Sequence, residues 1–337
     1  MHQPAPTSAG IPTNIITGFL GVGKTSAILH LLERKPAAER WAVLVNEFGE
    51  IGVDGSLLQG RHGEQNGIYV REVPGGCMCC AAGLPMQIAL AQLLRRAQPD
   101  RLLIEPTGLG HPVEVLQVLT AEHMRDVLSI QKTLTLVDAR KLADPRYTQN
   151  ATFNQQIAIA DIVVGNKQDL CLQNESARLG PYVRAHAAPG TDIVFTRFGE
   201  LAPHWLQGAT AAVASAHRHH LAPPDPVLAS PAEDLIPECG YVSAVNRGEG
   251  FESIGWRFSP SRVFDRNRLF LFLSGLRAER MKAVFITGDG IFGYNLTSDT
   301  LTETELDDCM ESRIEIIAPQ LEGGWEGQLL ACIADQG

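Results

Sequence analysis

The fold is decided by one stretch near the N-terminus, Thr17-Gly18-Phe19-Leu20-Gly21-Val22-Gly23-Lys24-Thr25-Ser26. It matches the pattern G-x-x-x-x-G-K-[ST] at every defined position. Apolar residues at 11–16 predict a strand before it, and the apolar spacing at 26–34 predicts a helix after it. A glycine-rich loop between a strand and a helix is typical of a phosphate site, whereas a chance glycine turn would lack that context.

Each residue type in this loop has a use in holding a nucleotide triphosphate. The glycines allow the backbone to curl so that its N–H groups face phosphate oxygens, and the helix N-terminus adds partial positive charge. Lys24 is expected to reach the β- and γ-phosphates as a catalytic residue, and the Thr25 hydroxyl to ligate Mg²⁺. The predicted nucleotide-binding residues of the loop are Gly18, Gly21, Val22, Gly23, Lys24, Thr25 and Ser26.

The order of the predicted elements indicates an α/β protein. Alternation of strands and helices predicts a parallel sheet with helices on both faces, in which ligands bind at the C-terminal strand ends. The further strands are predicted at 41–45, 68–73, 101–104, 133–137, 161–164 and 192–196, and the further helices at 83–96, 116–128 and 153–160.

At 337 residues the chain is long for one domain, and its composition changes after position 200. We predict a P-loop nucleotide-binding domain at 1–200, an Ala-, Pro- and His-containing linker at 201–235, and a smaller α+β domain at 236–337. In the last domain the pattern predicts strands at 250–258 and 313–317, a hairpin over 283–296, and helices at 262–276 and 324–333.

Charge and hydropathy argue against several classes of protein. The net charge of −10 disfavours a nucleic-acid partner, which requires clustered Lys and Arg. No apolar run approaches the ~20 residues that span a bilayer, and residues 1–10 lack the basic and apolar regions of a signal peptide. We therefore expect a cytoplasmic protein without a membrane partner.

A second nucleotide motif, Asn166-Lys167-Gln168-Asp169, follows the strand predicted at 161–164. In a GTPase, the Asp carboxylate at this place accepts hydrogen bonds from N1–H and the 2-amino group of guanine, a pattern that adenine does not offer. A polar site that leaves its groups unpaired with the wrong base discriminates strongly. Asn166, Lys167 and Asp169 are therefore predicted to bind GTP.

Acidic residues follow two other predicted strands. Glu105, in Glu105-Pro106-Thr107-Gly108, is expected to act on Mg²⁺ through water as a catalytic residue, and the Gly108 N–H to contact the γ-phosphate. The segment Asn46-Glu47-Phe48-Gly49-Glu50 lies where a first switch is expected. Glu47 and Glu50 are candidates for positioning water or contacting metal, and Glu47 is the predicted catalytic one of the two.

Three cysteines crowd into Gly75-Gly76-Cys77-Met78-Cys79-Cys80. In a reducing compartment such crowding indicates metal binding or redox chemistry rather than a disulfide framework. Thiolates at these spacings can face one borderline cation such as Zn²⁺, so Cys77, Cys79 and Cys80 are predicted metal ligands. A buried cysteine turn and a thiol–disulfide pair are the alternatives.

Together, the motifs at 17–26, 46–50, 76–80, 105–108 and 166–169 resemble those of the CobW/YjiA family of metal-handling P-loop GTPases. The resemblance spans nearly the whole chain, including a C-terminal domain of the CobW type. It implies GTP hydrolysis with Mg²⁺, coupled to delivery of a metal, usually Zn²⁺, to client apo-metalloproteins.

The resemblance also implies roles for particular residues. Cys77, Cys79 and Cys80 form the metal site, and Glu50 remains available as an oxygen ligand, while Val45 stands where some relatives carry a further acidic ligand. GTP would order the loop of Glu47 and Glu50, which is continuous with the cysteine turn, and hydrolysis would loosen the metal.

Several alternatives stay open from the sequence. A GTPase that supplies another metal such as cobalt, and a zinc sensor or buffer regulated by GTP, use the same motifs. The sequence neither favours nor excludes a homo-oligomer. No arginine finger can be assigned, so slow intrinsic turnover is expected. A structural role is preferred for His111, and Cys171, Cys239, Cys309 and Cys332 are expected to pack. The linker histidines His217, His219 and His220 are compatible with a metal site and at least as well with a solvated linker.

Overall fold

The computed structural model describes two units, each built on one sheet. Among the described residues, no helix combines the length and the apolar character that crossing a bilayer requires. The described residues are 10–46, 66–73, 84–110, 112–211, 239–248, 250–297, 300–306, 309 and 311–334.

The N-terminal unit is built on a parallel sheet of eight strands within the described residues. Its strands are β1 (Ile11–Gly18), β2 (Trp41–Asn46), β3 (Ile68–Val73), β4 (Arg101–Glu105), β5 (Leu128–Ile130), β6 (Leu134–Asp138), β7 (Ile162–Asn166) and β8 (Asp192–Phe195). They lie in the order β3-β2-β4-β1-β6-β7-β8, with β5 paired to the first residues of β1. The central position of β1 places the phosphate loop at the middle of the C-terminal edge of the sheet.

Helices cover both faces of this sheet, as the alternating pattern predicts. On β4, Leu102 and Ile104 face one apolar cluster, and Leu103 between them faces the other. Both clusters consist of buried residues, which explains why the sequences of these strands are continuous apolar runs. The helices are α1 (Lys24–Glu33), α2 (Leu84–Ala97), α3 (Pro112–Leu119), α4 (Pro145–Thr148), α5 (Ala151–Ala158) and α6 (Gln173–His186).

The prediction that 116–128 is mostly helical is confirmed only in part. Helix α3 begins earlier, at Pro112, and ends at Leu119, where the Thr120 hydroxyl donates to the Leu116 carbonyl at 2.7 Å. A short 3₁₀ turn follows, and then Leu128–Ile130 pairs with β1 as β5. Pairing with the sheet therefore outweighs the helical spacing of these apolar residues.

The C-terminal unit is an antiparallel sheet with helices on one face. Its strands are β9 (Tyr241–Gly248), β10 (Phe251–Phe258), β11 (Arg280–Thr287), β12 (Gly290–Thr297), β13 (Leu301–Leu306) and β14 (Ser312–Ala318), and its helices are α7 (Arg266–Gly275) and α8 (Trp325–Leu330). The order across the sheet is β13-β12-β11-β14-β10-β9. An apolar cluster that includes Trp256, Phe264 and Phe285 joins the sheet to the helices.

Several predicted boundaries in this unit shift. The predicted hairpin is confirmed as β11 and β12, but β11 begins at Arg280, before the predicted start. The helix predicted over 262–276 begins only at Arg266, because the Asp265 side chain accepts from the Arg268 N–H at 2.9 Å and caps it.

Apolar and charged contacts join the two units. Phe251 of β10 lies in a cluster with Phe19 of the phosphate loop, with the two ring centroids 5.9 Å apart. Next to β11, the Glu279 carboxylate accepts from Lys141 Nζ at 2.5 Å. The domain limits at 200 and 236 stay predictions, although Leu201, just past the first limit, is fully buried against the parallel sheet.

Candidate functional site

The phosphate loop runs from the end of β1 to the start of α1. Gly18 and Gly23 have φ angles of 145° and 93°, which side chains rarely tolerate. A Cβ on Gly18 would lie 2.4 Å from the Leu136 carbonyl oxygen, and one on Gly23 would lie 2.7 Å from Asn166 Nδ2. Glycine is therefore required at both positions by backbone angle and by space.

Lys24 is the first residue of α1, and its side chain folds back into the loop. Its Nζ donates to the carbonyl oxygens of Gly18 at 2.8 Å and Phe19 at 3.2 Å. Burial, followed by the positive charge of Arg280, lowers the pKa of Lys24 to about 7. The ammonium is thus held in a pocket that disfavours its charge until an anion enters.

Thr25 and Glu105 form the oxygen-rich side of the site. The Thr25 hydroxyl donates to Glu105 Oε1 at 3.0 Å, and Glu105 Oε2 is buried without a hydrogen-bond partner among the described residues. Burial raises the pKa of Glu105, against the lowering effect of Lys24. Hydroxyl and carboxylate oxygens are the ligands that Mg²⁺ takes, directly or through water, so these residues fit a magnesium ion.

Gly108 contacts the phosphate loop from the other side. A Cβ on this glycine would lie 3.1 Å from the Leu20 backbone nitrogen, and Gln156 Nε2 donates to the Gly108 carbonyl at 3.0 Å. Gly108 therefore lies beside the phosphate loop, and its contact with the γ-phosphate stays a prediction.

Asn166 ties three segments together. Its Nδ2 donates to the Val22 carbonyl at 2.8 Å, and its Oδ1 accepts from the Gly199 N–H at 3.1 Å. The side chain is 2% exposed, so these contacts hold the phosphate loop against the loop after β8. Asn166 therefore positions the two loops, and its predicted role in binding GTP stays a prediction.

One cavity of about 730 Å³ extends from the phosphate loop past Lys167 and Asp169. Its size lies within the range of small-molecule sites. Phe198, which the sequence reasoning missed, also lines it, and 67% of this residue is exposed. Of the loop residues predicted to bind nucleotide, Gly21, Val22, Gly23, Lys24, Thr25 and Ser26 line the same cavity.

The C-terminal sheet forms the opposite wall of this cavity. Arg280 and Lys282 of β11, together with Asn295 and Thr297 of β12, line it alongside the phosphate loop. Arg280 and Lys282 were missed from the sequence because the predicted strand began after them, at residue 283. A signal was present: charged residues 280 and 282 alternate with the apolar Met281 and Ala283.

Several predicted site residues lie outside the described part of the chain, and their positions stay predictions. These are Glu47, Glu50, Cys77, Cys79 and Cys80. Within the described residues, no group of three or more His, Cys, Asp or Glu side chains could hold a metal. Of the cysteines expected to pack, Cys332 is buried in the C-terminal core, whereas Cys239 is exposed and that prediction is wrong.

The profile of the nucleotide-binding domain described as CobW/HypB/UreG matches residues 12–190. The chain belongs to the CobW/HypB/UreG family. The predicted resemblance to metal-handling P-loop GTPases is therefore confirmed at the level of the family.

Several members of the CobW/HypB/UreG family are similar in sequence to this chain over most of its length. The protein named zinc chaperone YeiR, from Escherichia coli K12, is 38% identical over 93% of this chain and 94% of its own length. The zinc chaperone CobW of Pseudomonas aeruginosa is 31% identical over 62% of each chain. The crystal structure of Zn(II)-bound YjiA GTPase from E. coli aligns at 20% identity and a TM-score of 0.42, covering 97% of this chain and 100% of its own.

Proposed function

We propose that this chain is a GTPase that couples hydrolysis of GTP to the transfer of zinc to client apo-metalloproteins. One observation carries the proposal: the phosphate loop and the motif at 166–169 line a single cavity large enough for a nucleotide. The identity of 38% with a protein named as a zinc chaperone, over nearly the full length of both chains, supports the metal part.

Different residues of the site would contact the phosphates and the magnesium ion. The Lys24 ammonium would exchange the carbonyl oxygens of Gly18 and Phe19 for phosphate oxygens, a stronger, charge-assisted contact. Thr25 and Glu105 would supply oxygen donors to Mg²⁺, which when bound neutralises charge on the β- and γ-phosphates. The N–H groups of the loop and the start of α1 would complete the anion site.

A change of base preference tests the nucleotide assignment. Asp169 lines the cavity and is exposed to it, and its carboxylate suits the two donors of guanine. In Asp169→Asn the amide offers one donor and one acceptor, which matches xanthine, whose 2-position carries an oxygen. We expect this variant to lose at least about 10²-fold in GTP affinity and to gain affinity for XTP, measured by competition against a fluorescent nucleotide.

Lys24→Ala is the matched test of hydrolysis at the other end of the cavity. This variant is expected to release phosphate from GTP far more slowly than the wild type, while its preference for guanine is retained. Hydrolysis at the wild-type rate in Lys24→Ala would contradict the catalytic assignment. A variant Asp169→Asn that binds GTP and XTP as the wild type does would contradict the base assignment.

The zinc part of the proposal is tested by differential affinity. The predicted ligands Cys77, Cys79 and Cys80 follow the predicted first switch in the sequence, so the nucleotide state would act on the metal site through that loop. We expect tighter zinc binding with a non-hydrolysable GTP analogue than with GDP, measured by competition with a chromogenic chelator. Equal affinities in the two states would discard the coupling, because a ligand shifts only states that it binds differently.

A further inference from the structure

We propose that the C-terminal sheet completes the hydrolytic site in cis, with Arg280 and Lys282 contacting the triphosphate of bound GTP. The inference rests on the proposed GTPase function and deepens it. It assigns to the second unit the cationic group that the sequence alone could not identify, and it makes hydrolysis depend on contact between the two units.

The position of these two cations follows from the alternation of side chains along β11. Met281 and Ala283 point into the apolar core of the C-terminal unit, so Arg280 and Lys282 lie on the opposite face of the sheet. They are 8% and 6% exposed, so both cations are held within the folded molecule. Spaced two residues apart, they present two charges roughly 7 Å apart along the strand.

That face of the sheet lies directly over the phosphate loop. Lys282 Nζ is 3.4 Å from the Thr25 hydroxyl oxygen, and Arg280 lines the same cavity as Lys24. The positive charges of Arg280 and Lys282 both lower the pKa of Lys24, as expected for neighbours in one site. A Cβ added to Gly21 would lie 3.9 Å from Thr297 Cγ2, so the β11–β12 hairpin touches the loop itself.

Three buried cationic side chains lie together around the phosphate loop. Lys24, Arg280 and Lys282 are all buried, and in the part of the chain that the structure describes, the carboxyls of Glu105 and Glu315 act on them. Burial raises the pKa of both carboxyls, that of Glu315 to about 8, which reduces their negative charge further. Three buried cationic side chains therefore line one cavity, where their combined charge would attract an anionic ligand.

A structural role alone explains this arrangement less well. Glu315 lies opposite Lys282 in the register of β11 and β14, so one ion pair would suffice to hold the two strands. Arg280 is a second cation on the same face, and it lines the cavity that also contains the phosphate loop. A triphosphate with bound Mg²⁺ carries the compensating negative charge.

The chemical consequence lies in the charge that moves during hydrolysis. The oxygen of a water molecule bonds to the γ-phosphorus, and the bond from phosphorus to the β–γ bridging oxygen breaks, with its electron pair passing to GDP. One water proton stays on the inorganic phosphate and the other passes to solvent. A guanidinium that spans β- and γ-phosphate oxygens stabilises this developing charge more than it stabilises bound GDP.

Single-turnover hydrolysis by the full-length chain tests the inference, with Arg280→Gln as the main variant. We expect its rate at saturating GTP to fall about 10²-fold, with GDP affinity close to that of the wild type. Aluminium fluoride should also increase the GDP affinity of this variant less than it increases that of the wild type, by a similar factor. Arg257→Gln is the matched control, because Arg257 lies in the same sheet, pairs with Glu311 at 2.7 Å and does not line the cavity.

Arg280→Lys keeps the positive charge, and it tests the inference even if the Arg280→Gln variant misfolds. We expect it to fold with a thermal midpoint near that of the wild type, yet to hydrolyse GTP more slowly, because an ammonium cannot bridge two phosphates as a planar guanidinium does. Wild-type rates and a full aluminium fluoride gain in both Arg280 variants would overturn the inference while leaving the proposed function in place. A wild-type chain that does not hydrolyse GTP would instead overturn the proposed function itself.

Discussion

At the scale of one residue, Gly23 shows how a missing side chain shapes the phosphate loop. Its φ angle is 93°, and a Cβ there would lie 2.7 Å from Asn166 Nδ2, which donates to the Val22 carbonyl. Gly23→Ala is expected to strain the backbone by about 1–2 kcal/mol and to displace a buried hydrogen bond worth about 1–3 kcal/mol. We expect GTP affinity, measured with a fluorescent analogue, to fall at least about tenfold, since 1.4 kcal/mol is a factor of ten.

Gly190 provides a control for the backbone alone. Its φ angle is 91°, nearly that of Gly23, but nothing lies within 4 Å of the Cβ that alanine would add. Gly190→Ala should therefore lose about 1–2 kcal/mol in the free energy of unfolding and keep the GTP affinity of the wild type. Equal losses of affinity in the two variants would show that space around Gly23 does not matter.

The two nucleotide motifs illustrate what residue patterns can predict. The phosphate loop was predictable, because its backbone conformation depends on glycines within one short segment. The motif at 166–169 was predictable as part of the site, but the contacts of Asn166 were not. Its side chain bonds to Val22 and Gly199, which are distant in sequence, and only the folded sheet brings them together.

At the scale of elements, buried strands and amphipathic helices were predictable, and elements that depend on distant partners were not. Strands β6 and β7 are buried at every position, and their apolar runs predict them directly. Helix α6 was missed, because its sequence is polar and contains Pro181, which normally breaks a helical pattern. Strand β5 was not predicted, and its first residue, Leu128, was assigned to a helical segment, because the pairing of β5 with β1 cannot be inferred from its own residues.

The edge strands of the C-terminal sheet show the same limit. Strand β13, missed from the sequence, carries Thr302 and Glu303 and pairs only with β12 in the described sheet order. Its polar residues lack the alternation that predicts a half-buried strand, since part of its surface lines the cavity and part is exposed. The polar residues that line the cavity therefore hide the strand pattern of β13 in the sequence.

At the scale of the whole molecule, the candidate site belongs to both units. In its described N-terminal half, the sequence indicates the phosphate loop, Glu105 and the motif at 166–169, because each follows its own strand at one edge of the sheet. Arg280 and Lys282 could not be predicted, because their role depends on how two separately formed sheets pack. The contact between the sheets is therefore the feature on which both stability and hydrolysis are expected to depend.

Phe251 is the side chain that tests this dependence. It projects from β10 of the C-terminal unit into a cluster with Phe19 of the phosphate loop, and it is 3% exposed. Phe251→Ala is expected to cost about 3–5 kcal/mol in the free energy of unfolding. Much of this loss falls on the contact between the units, so we expect calorimetry to show two separated transitions where the wild type shows one.

Phe270→Ala controls for the loss of a phenyl ring elsewhere in the same unit. Phe270 lies on α7 and is 46% exposed, so its removal should change the free energy of unfolding by far less and leave a single transition. Because Arg280 and Lys282 reach the phosphate loop only when the units are packed together, Phe251→Ala should also slow GTP hydrolysis, whereas Phe270→Ala should not. Unchanged hydrolysis in Phe251→Ala, with its stability lowered as expected, would show that the C-terminal sheet stabilises the molecule without taking part in catalysis.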